Sequence, residues 1–391
     1  MHTGNSSVIR HYFDWAASAP PGRMGGDCSE SDAVIDNTLI FGNPSSRHRE
    51  GRMAKETLEN ARERCALVLG VKSETLYFTS GGTEANCIAL YSNLFRPRGR
   101  VVSSRAEHPS VIENIDTLQR MGRQTGTLPL DSLGRVTPEL LEKTLDKYGD
   151  VRFAAVMAVN NETGAVNNIS ALRRTLDSYS GPFVHLHCDM VQALGKIPFD
   201  MGDCDSASLS AHKIGGPRGI GLLYLNKPLE PLYSGGGQEG KIRPGTENVA
   251  GALAFANCLE RYAAGQTMHN HYDAARKRCE RFISAMSESN RCILIPVGRA
   301  VSDDFFSPYI VQLGFRDIPG EVMVRALDDA GFAVSTGSAC SSAAPDRPVL
   351  AAMGLDEHSS RLGIRVSQGW SNSDEEIELL IGAIQGVLQY L

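Results

Sequence analysis

The amino-acid sequence predicts an α/β protein with two domains: a large domain with a mostly parallel sheet flanked by helices, and a smaller C-terminal α/β domain. Two observations lead to this prediction. Strand-like apolar runs alternate with helical segments along most of the chain, and this order builds parallel sheets. The length of 391 residues also exceeds what one hydrophobic core usually serves, so two domains are the default expectation.

The alternation of strands and helices defines the large domain, which we expect to span residues 13–250. The first strand–helix pairs are TLYFTS with TEANCIALYSNLF, GRVVSS with HPSVIENIDTL, and RFAAVMAVN with SALRRTLDSYS. Two further strands and a hairpin-like stretch follow in PFVHLHCDM, SASLSA and GIGLLYLNKPLEPLY. This order favours a sheet covered by helices on its faces.

A glycine-rich stretch, SGGGQEGKIRPGT, interrupts this pattern before a long helical run from about Asn248 to Ser289. The segments beyond that run indicate a second set of strands and helices, in CILIPV, SPYIVQLGF, EVMVRALDDAG, FAVSTG and GIRVSQG. The last segment, SDEEIELLIGAIQGVLQYL, has the spacing of an amphipathic helix. We therefore expect residues 251–391, together with 1–12, to form the small domain.

Composition restricts the class of protein. Hydrophobic residues at 42%, charged residues at 21% and a net charge of −6 are typical of a globular protein with a sizeable core. The acidic balance predicts no nucleic-acid partner, and no apolar run approaches the roughly 20 residues of a membrane span. The first residues, MHTGNSSVIRHYFDW, lack the apolar stretch of a signal peptide. We expect a cytoplasmic protein with no membrane partner.

Nine cysteines are spread along the chain without a CxxC pair, which argues against a disulfide framework or a structural zinc site. Cys65 and Cys87 have neighbours at helical apolar spacing, as expected of thiols packed in a core. Cys340 differs because STGSACSSAAPD surrounds it with small residues that bury almost nothing. Core packing therefore does not explain this cysteine.

The segment YFTSGGTEAN, residues 77–86, runs from a strand through Gly81 and Gly82 into a helix. Glycines let the backbone approach a ligand closely, the helix start offers unpaired N–H groups, and Thr83 adds a hydroxyl. The turn could therefore hold a phosphate. A plain strand–helix turn capped by Thr83 explains the same pattern.

In SLSAHKIGGPRGIG, residues 208–221, Lys213 follows a strand rich in small residues and precedes a Gly-Gly-Pro turn. A lysine in a partly desolvated site can lose its proton and form a Schiff base with a carbonyl, such as that of pyridoxal phosphate. A solvent-exposed turn lysine is the alternative on these residues alone.

His185, His187 and Asp189 occupy alternate positions in FVHLHCDMVQALGKIPFD, so a strand would place them on one face. Two imidazoles and a carboxylate on one face could ligate zinc or iron, as in a metal-dependent hydrolase. Alternatively, Asp189 alone enters the site and pairs with a pyridinium nitrogen, while Gln192 reaches the same ring. The two hypotheses predict different cofactors.

Together these motifs resemble the cysteine desulfurases of the NifS-like and IscS-like group, within the class V aminotransferase-like, fold-type I enzymes that use pyridoxal 5'-phosphate. The resemblance covers nearly the whole chain, through YFDWAASAP, FGNPSSRHREGR, TSGGTEAN, EHPSV, VNNETG, HCDMVQALGK, SAHKIGGPRGIG, GGGQEGKIRPGTEN, STGSACSS and GIRVSQG. It implies removal of sulfur from L-cysteine, which gives L-alanine and a persulfide on Cys340 for transfer to an acceptor protein.

The resemblance implies three catalytic residues. Lys213 would carry the cofactor as a Schiff base and, with His108, move protons on the substrate. His108 would also stack on the cofactor ring. The thiolate of Cys340 would attack the substrate sulfur, and small flexible neighbours would let it reach in and then swing away.

The resemblance also assigns residues to the cofactor ring and the substrate. Asp189 would keep the pyridine nitrogen protonated, and Gln192 would bond to the phenolic oxygen of the ring. Asn161 would lie near that oxygen and the substrate carboxylate. Arg365 would clamp the carboxylate, unless it forms a structural ion pair instead.

For the phosphate, the resemblance implies a set of residues from three segments. Gly82 and Thr83 would act with Ser210 and His212. Thr246, in RPGTEN, would reach the phosphate of the neighbouring subunit, which implies a homodimer with shared sites.

The chain departs from the family pattern in ways that leave alternatives open. Trp15 stands where the family commonly has asparagine, and we expect its indole near the substrate entrance. The segment after Cys340 is a residue shorter than in that group and is restricted by prolines. Three alternatives follow: a selenocysteine lyase, another class V enzyme with a vestigial Cys340, and a catalytically silent dimer that binds a sulfur-transfer partner. The acceptor pathway, iron–sulfur cluster assembly or tRNA thiolation, also stays open.

Overall fold

Three sheets contain the strands of the computed structural model, which describes residues 9–21, 41–337 and 347–390. In chain order the strands of these ranges are β1 (His11–Tyr12), β2 (Leu76–Thr79), β3 (Arg100–Ser103), β4 (Thr125–Thr127), β5 (Val151–Met157), β6 (His185–Asp189), β7 (Ser206–Ser210), β8 (Gly221–Leu225), β9 (Cys292–Ile295), β10 (Ile310–Phe315), β11 (Phe332–Ala333) and β12 (Gly363–Ser367). The α-helices are α1 (Arg49–Leu69), α2 (Gly82–Tyr91), α3 (Pro109–Arg120), α4 (Pro138–Tyr148), α5 (Ile169–Ser178), α6 (Val249–Tyr262), α7 (Gly265–Ser287), α8 (Gly320–Asp329), α9 (Pro348–Ala352), α10 (Glu357–Arg361) and α11 (Asp374–Tyr390).

The largest sheet has seven strands in the order β2-β8-β7-β6-β5-β3-β4. Five neighbouring strands run parallel to one another: β7, β6, β5, β3 and β4. Strand β8 runs antiparallel to both β7 and β2. Strand β5 is apolar along almost its whole length, as expected of a strand covered on both faces. The predicted α/β fold with a mostly parallel sheet is confirmed.

The predicted hairpin-like stretch contributes one strand instead of two. Strand β8 ends at Leu225, and the next backbone N–H groups, of Asn226 and Lys227, donate to the carbonyl of Asp205. Pro228 and Pro231 follow and lack the N–H groups that a second strand would need. The chain therefore leaves the sheet after β8.

The long helical run divides between two cores. Helix α6 packs on α1, and its Phe255 and Leu259 lie in the core beneath the large sheet. Helix α7 begins at Gly265 after a short break, and with α8 and α11 it covers the antiparallel sheet β12-β10-β9. The domain boundary near residue 250 stays a prediction. Among the described helices, none is both long and apolar enough to cross a bilayer.

The segment of residues 9–21 joins the two cores. Strand β1 pairs with β11, and Phe13 is fully buried in the smaller core. Trp15 belongs to the larger core, where its indole packs edge-on against Trp370 with ring centroids 4.8 Å apart. The indole is only 1% exposed, so the expectation that it lies at a substrate entrance is wrong. Gly369 allows this burial because any Cβ there would overlap the indole.

Candidate active site

The predicted site residues gather at one edge of the large sheet, where its parallel strands end. His108 follows β3, Asn161 follows β5, Asp189 closes β6 and Ser210 closes β7. Lys213 lies in the 3₁₀ turn directly after β7. In open α/β sheets, ligands bind in the crevice outside the carboxyl ends of the strands. The topology therefore brings together residues that are far apart in sequence.

The amine of Lys213 is held in the crevice by the N-terminal segment. Its Nζ donates to the carbonyl oxygens of Ala16, at 2.6 Å, and Ala17, at 2.9 Å. The side chain is half-buried, unlike a lysine on a solvent-exposed turn. Gly215, at φ +82°, makes the turn after the lysine, and a Cβ there would lie only 3.2 Å from the carbonyl of Pro20.

Asp189 presents a buried carboxylate with defined partners. Its Oδ2 accepts from Asn86 Nδ2 at 2.9 Å, and its Oδ1 accepts from the backbone N–H of Val191 at 3.1 Å. Asn86 lies in α2 and is 1% exposed. This asparagine belongs to the TSGGTEAN motif and has no role among the sequence-based predictions. A buried amide one turn inside a helix that begins with a glycine pair is the signal that could have identified it.

His108 caps the start of α3, where Pro109 takes the first helical position. The backbone N–H of Ser110 donates to His108 Nδ1 at 3.1 Å, and the Ser110 hydroxyl lies 2.8 Å from the same nitrogen. Burial lowers the pKa of His108, although the nearby Asp189 charge acts in the opposite direction. The ring is therefore neutral, with Nδ1 as the acceptor and the proton on Nε2.

Gln192 is fixed by Lys196, a lysine that is absent from the sequence-based site predictions. Lys196 Nζ donates to Gln192 Oε1 at 2.7 Å, and Gln192 Nε2 donates to the Ala16 carbonyl at 2.8 Å. Burial, and then the charges of Lys213 and Arg365, lower the pKa of Lys196 to about 7. The amide of Gln192 therefore presents its NH₂ group to the N-terminal segment. The spacing of four residues in VQALGK was the available signal.

The glycine turn before α2 opens onto a cavity of about 540 Å³. Gly82 begins the helix, and a Cβ on it would lie 2.6 Å from Val191 Cγ2. Thr83 and His212 also line the cavity, and Ser210 Oγ is hydrogen-bonded to His212 Nδ1 at 2.8 Å. Burial, and then the charges of Lys213 and Arg218, lower the pKa of His212 to about 4. Backbone N–H groups at a helix start beside cationic side chains suit an anion.

Arg365 is buried and already paired. Its Nη2 donates to Asp14 Oδ1 at 2.7 Å, while its Nη1 donates to the carbonyls of Asn161, at 2.9 Å, and Gly337, at 2.6 Å. The guanidinium thus forms an ion pair, which is the alternative to the predicted substrate clamp. Its Nε is buried without a partner among the described residues.

His185 and His187 share their contacts with one serine and one phenylalanine. Both rings bond to the Ser206 hydroxyl at 2.8 Å, and both stack on Phe153. Within residues 9–21, 41–337 and 347–390, no three metal-ligating side chains come together. The arrangement gives the metal hypothesis no support.

Two predicted site residues cannot be placed with the others. Cys340 lies outside the described residues. Thr246 is exposed in the segment before α6, and the role implied for it requires a second subunit. Both assignments stay predictions.

Comparison with known proteins identifies the class of enzyme that this fold and site represent. The model of the family described as aminotransferase class-V matches residues 30–380. A NifS/IcsS protein homolog of Lactobacillus delbrueckii subsp. bulgaricus is 35% identical over 389 residues, which cover 97% of each chain. The cysteine desulfurase IscS of Dictyoglomus turgidum is 32% identical over 366 residues, which cover 90% of this chain and 88% of that one.

A solved structure called NIFS-LIKE PROTEIN matches with a TM-score of 0.86 and 29% identity, over 98% of this chain and 100% of that chain. The chain therefore belongs to the class-V aminotransferase family, within its NifS-like and IscS-like cysteine desulfurases, which depend on pyridoxal 5'-phosphate. The resemblance and the fold type that it implied are confirmed.

The crevice has the chemical groups that pyridoxal 5'-phosphate requires. The turn at Gly82 lines the cavity at the start of α2, where backbone N–H groups suit the phosphate. The Asp189 carboxylate suits a pyridinium nitrogen, and the amine of Lys213 suits the aldehyde. Asn161 Oδ1 is buried without a partner among the described residues, as expected of an atom that meets a ligand. The residues present therefore fit the cofactor.

Proposed function

We propose that this cysteine desulfurase takes sulfur from L-cysteine, releases L-alanine and carries the sulfur as a persulfide on Cys340. One observation supports this most directly: residues 14–17 touch the lysine, the ring-binding glutamine and the buried arginine at once. Asp14 pairs with Arg365, the Ala16 carbonyl accepts from Gln192, and the carbonyls of Ala16 and Ala17 accept from Lys213. A cofactor and an amino-acid carboxylate could therefore be bound side by side.

When bound, pyridoxal 5'-phosphate supplies an electron sink for the bonds at the substrate Cα. Asp189 would hold the cofactor ring by its nitrogen, and Gln192 would orient its phenolic oxygen. His108 Nδ1 is tied to Ser110, which leaves Nε2 as the nitrogen that exchanges a proton with the substrate. The amine of Lys213 is the second group that takes up and returns a proton.

Arg365 binds the substrate carboxylate in this proposal. The carboxylate of Asp14 already occupies one arm of the guanidinium, so the arginine is held in place before substrate arrives. The substrate carboxylate must share or replace these bonds. Asn161 supports the same position, because its backbone carbonyl accepts from Arg365.

The sulfur transfer is balanced without an external oxidant. The Cys340 thiolate attacks the substrate sulfur, so that a new S–S bond forms while the carbon–sulfur bond breaks. The carbon fragment keeps the electron pair of the broken bond and takes up a proton to become alanine. The persulfide then passes its outer sulfur to an acceptor protein.

We further propose a homodimer in which the exposed Thr246 reaches the partner's phosphate site. The sulfur would supply iron–sulfur cluster assembly or tRNA thiolation through an acceptor protein. Cysteines at seven described positions are free thiols, which suits a reducing compartment such as the cytoplasm.

The first test measures sulfide and alanine released from L-cysteine in the presence of a reductant, together with the visible spectrum. We expect a yellow, active wild type and a Cys340→Ala variant that keeps its colour but loses sulfide release. Cys292→Ala is the matched control, because that half-buried thiol lies on β9 in the smaller sheet. Lys213→Ala should lose both the colour and the turnover.

Other outcomes assign the protein differently. Equal turnover of L-cysteine by the wild type and Cys340→Ala would show that Cys340 is a bystander, and would favour a selenocysteine lyase or another class V enzyme. A Lys213→Ala variant that keeps colour and activity contradicts the cofactor assignment.

A further inference from the structure

A row of polar side chains, all buried except the half-buried Arg96 at its end, connects Asp189 with that cation. The row consists of Arg96, His185, Ser206, His187 and Asn86, and is called the buried chain below. Its hydrogen bonds, in order, are Arg96 Nη2 to His185 Nδ1 at 3.1 Å, His185 Nε2 to Ser206 Oγ at 2.8 Å, Ser206 Oγ to His187 Nδ1 at 2.8 Å, His187 Nε2 to Asn86 Oδ1 at 2.9 Å, and Asn86 Nδ2 to Asp189 Oδ2 at 2.9 Å.

The two ends of the buried chain fix its direction. The Arg96 guanidinium can only donate, so His185 Nδ1 must accept and His185 Nε2 must carry the proton. At the other end, a carboxylate can only accept, so Asn86 must turn its NH₂ group to Asp189 and its oxygen to the preceding ring. Every inner group then accepts one hydrogen bond and donates one. Reversing any single group would set two donors or two acceptors against each other.

Burial supports the neutral state of both rings that this direction requires. His185 and His187 are 0% exposed and stack on the apolar ring of Phe153, with centroids 5.0 and 6.1 Å away. Burial lowers the pKa of His187 to about 3, and burial followed by the Arg96 charge lowers that of His185. Neither ring carries a charge at neutral pH.

Asn86 is also a branch point. Its Nδ2 lies 2.8 Å from Ser110 Oγ, and that hydroxyl lies 2.8 Å from His108 Nδ1. The second N–H of the amide therefore occupies a lone pair of Ser110 and directs the hydroxyl proton toward His108. One amide group thus orients both the carboxylate for the cofactor nitrogen and the histidine that exchanges protons.

We propose that the buried chain, with Asn86 as its branch point, consists of positioning residues that hold Asp189 and the proton position of His108 ready for the cofactor. This inference rests on the proposed function, because it assigns Asp189 to the cofactor ring. The residues of the buried chain touch neither substrate nor cofactor in this account. They act through Asp189 and through Ser110.

The direction of the buried chain can be tested in the protein without cofactor. In protein labelled with ¹⁵N-histidine, NMR distinguishes the two neutral tautomers and the imidazolium, and His185→Phe and His187→Phe variants assign the signals. We expect both rings to be neutral with the proton on Nε2. A proton on Nδ1 of either ring, or a doubly protonated ring at neutral pH, contradicts the proposal.

The effect on the cofactor is tested with a pair of serines on one strand. Ser206→Ala breaks the middle of the buried chain with the loss of one oxygen atom. Ser208→Ala is the matched control: its hydroxyl is equally buried on the same face of β7 but has no partner among the described residues. The readouts are the concentration of pyridoxal 5'-phosphate that half-saturates the apoprotein, and the pH midpoint of the visible absorption band.

We expect Ser206→Ala to raise the half-saturating concentration about tenfold, the size typical of a lost buried hydrogen bond, and to move the absorption midpoint. His187 should then show a mixture of tautomers, while Ser208→Ala should match the wild type in all three measurements. Equal behaviour of the two variants overturns the proposal. A wild type that binds no cofactor refutes the proposed function instead, and the tautomers of the apoprotein still decide the direction of the buried chain.

Discussion

In the proposed function, Arg365 serves the fold and the site at once. Its guanidinium is 2% exposed and neutralised by Asp14, so removing it would leave a half-buried carboxylate without its partner. The same pair fixes the planar fork in one orientation. A substrate carboxylate bound there, as proposed, would meet an arginine that has already lost its conformational freedom, which would lower the entropic cost of binding.

Arg365→Lys separates these two roles, because lysine keeps the charge for Asp14 but loses the bidentate fork. We expect the KM for L-cysteine to rise by about 10- to 100-fold, the range for a weakened charge-assisted contact, with a small change in kcat. Steady-state kinetics and thermal unfolding of the same preparation provide the measurement. A large drop in melting temperature with an unchanged KM would leave Arg365 as a structural ion pair.

Helix α2 positions two parts of the site from a single element. Its first residue, Gly82, lines the cavity, and Asn86 one turn later holds Asp189. Gly81, at φ +154°, makes the approach to the helix in a conformation that side chains rarely adopt. The helix therefore sets the distance between the glycine turn at the cavity and the Asp189 carboxylate.

Gly82→Ala tests whether the glycine turn at the start of α2 binds the phosphate. The added Cβ would lie 2.6 Å from Val191 Cγ2, so either the valine methyl or the helix start must move. We expect pyridoxal 5'-phosphate to bind about tenfold more weakly, because the backbone N–H groups shift relative to the phosphate. Gly386→Ala in α11 is the control, since open space surrounds its Cβ position. Equal cofactor affinity in both variants would remove the glycine turn from the phosphate site.

Sequence patterns located the elements of the site better than the contacts between them. The strand ends before His108, Asp189 and Lys213 follow from apolar runs and small residues, and the structure has them at one edge of the sheet. The pairing of Arg365 with Asp14 joins residues 351 positions apart, and no local pattern predicts such a contact. The hydrogen bonds of His185 and His187 could not be predicted either. Their alternate positions in the sequence place them on one face of a strand but do not show which side chains of the next strand they meet.

At the scale of the whole molecule, the N-terminal segment connects the smaller core to the site. Phe13 is buried among the residues of that core, and two residues later the chain enters the larger core. The Ser367 hydroxyl accepts from the backbone N–H of Ala16, whose carbonyl binds Lys213. A displacement of either core relative to the other would therefore change the bonds to the lysine.

Phe13→Ala should show this connection. Loss of a fully buried phenylalanine costs about 3–5 kcal/mol of stability, and the adjoining carbonyls of Ala16 and Ala17 should lose their alignment with Lys213. Phe282→Ala removes an equally buried ring from the same core but lies on α7, outside the segment. Unfolding by urea should give similar losses of stability for both variants, whereas cofactor dissociation should be faster only in Phe13→Ala. Identical cofactor dissociation rates in the two variants would show that the packing of Phe13 does not affect the position of the Ala16 and Ala17 carbonyls at the site.

The pairing of the N-terminal segment with β12 has a consequence for biosynthesis. Residues 13–16 bond to Ser367, so they leave the ribosome long before their partner has been made. During that interval Phe13 and the backbone N–H of Ala16 lack their native partner Ser367. Translation must therefore be almost finished before Lys213 can form its hydrogen bonds to the Ala16 and Ala17 carbonyls in their native position. A nascent chain stalled before β12 should not yet bind cofactor.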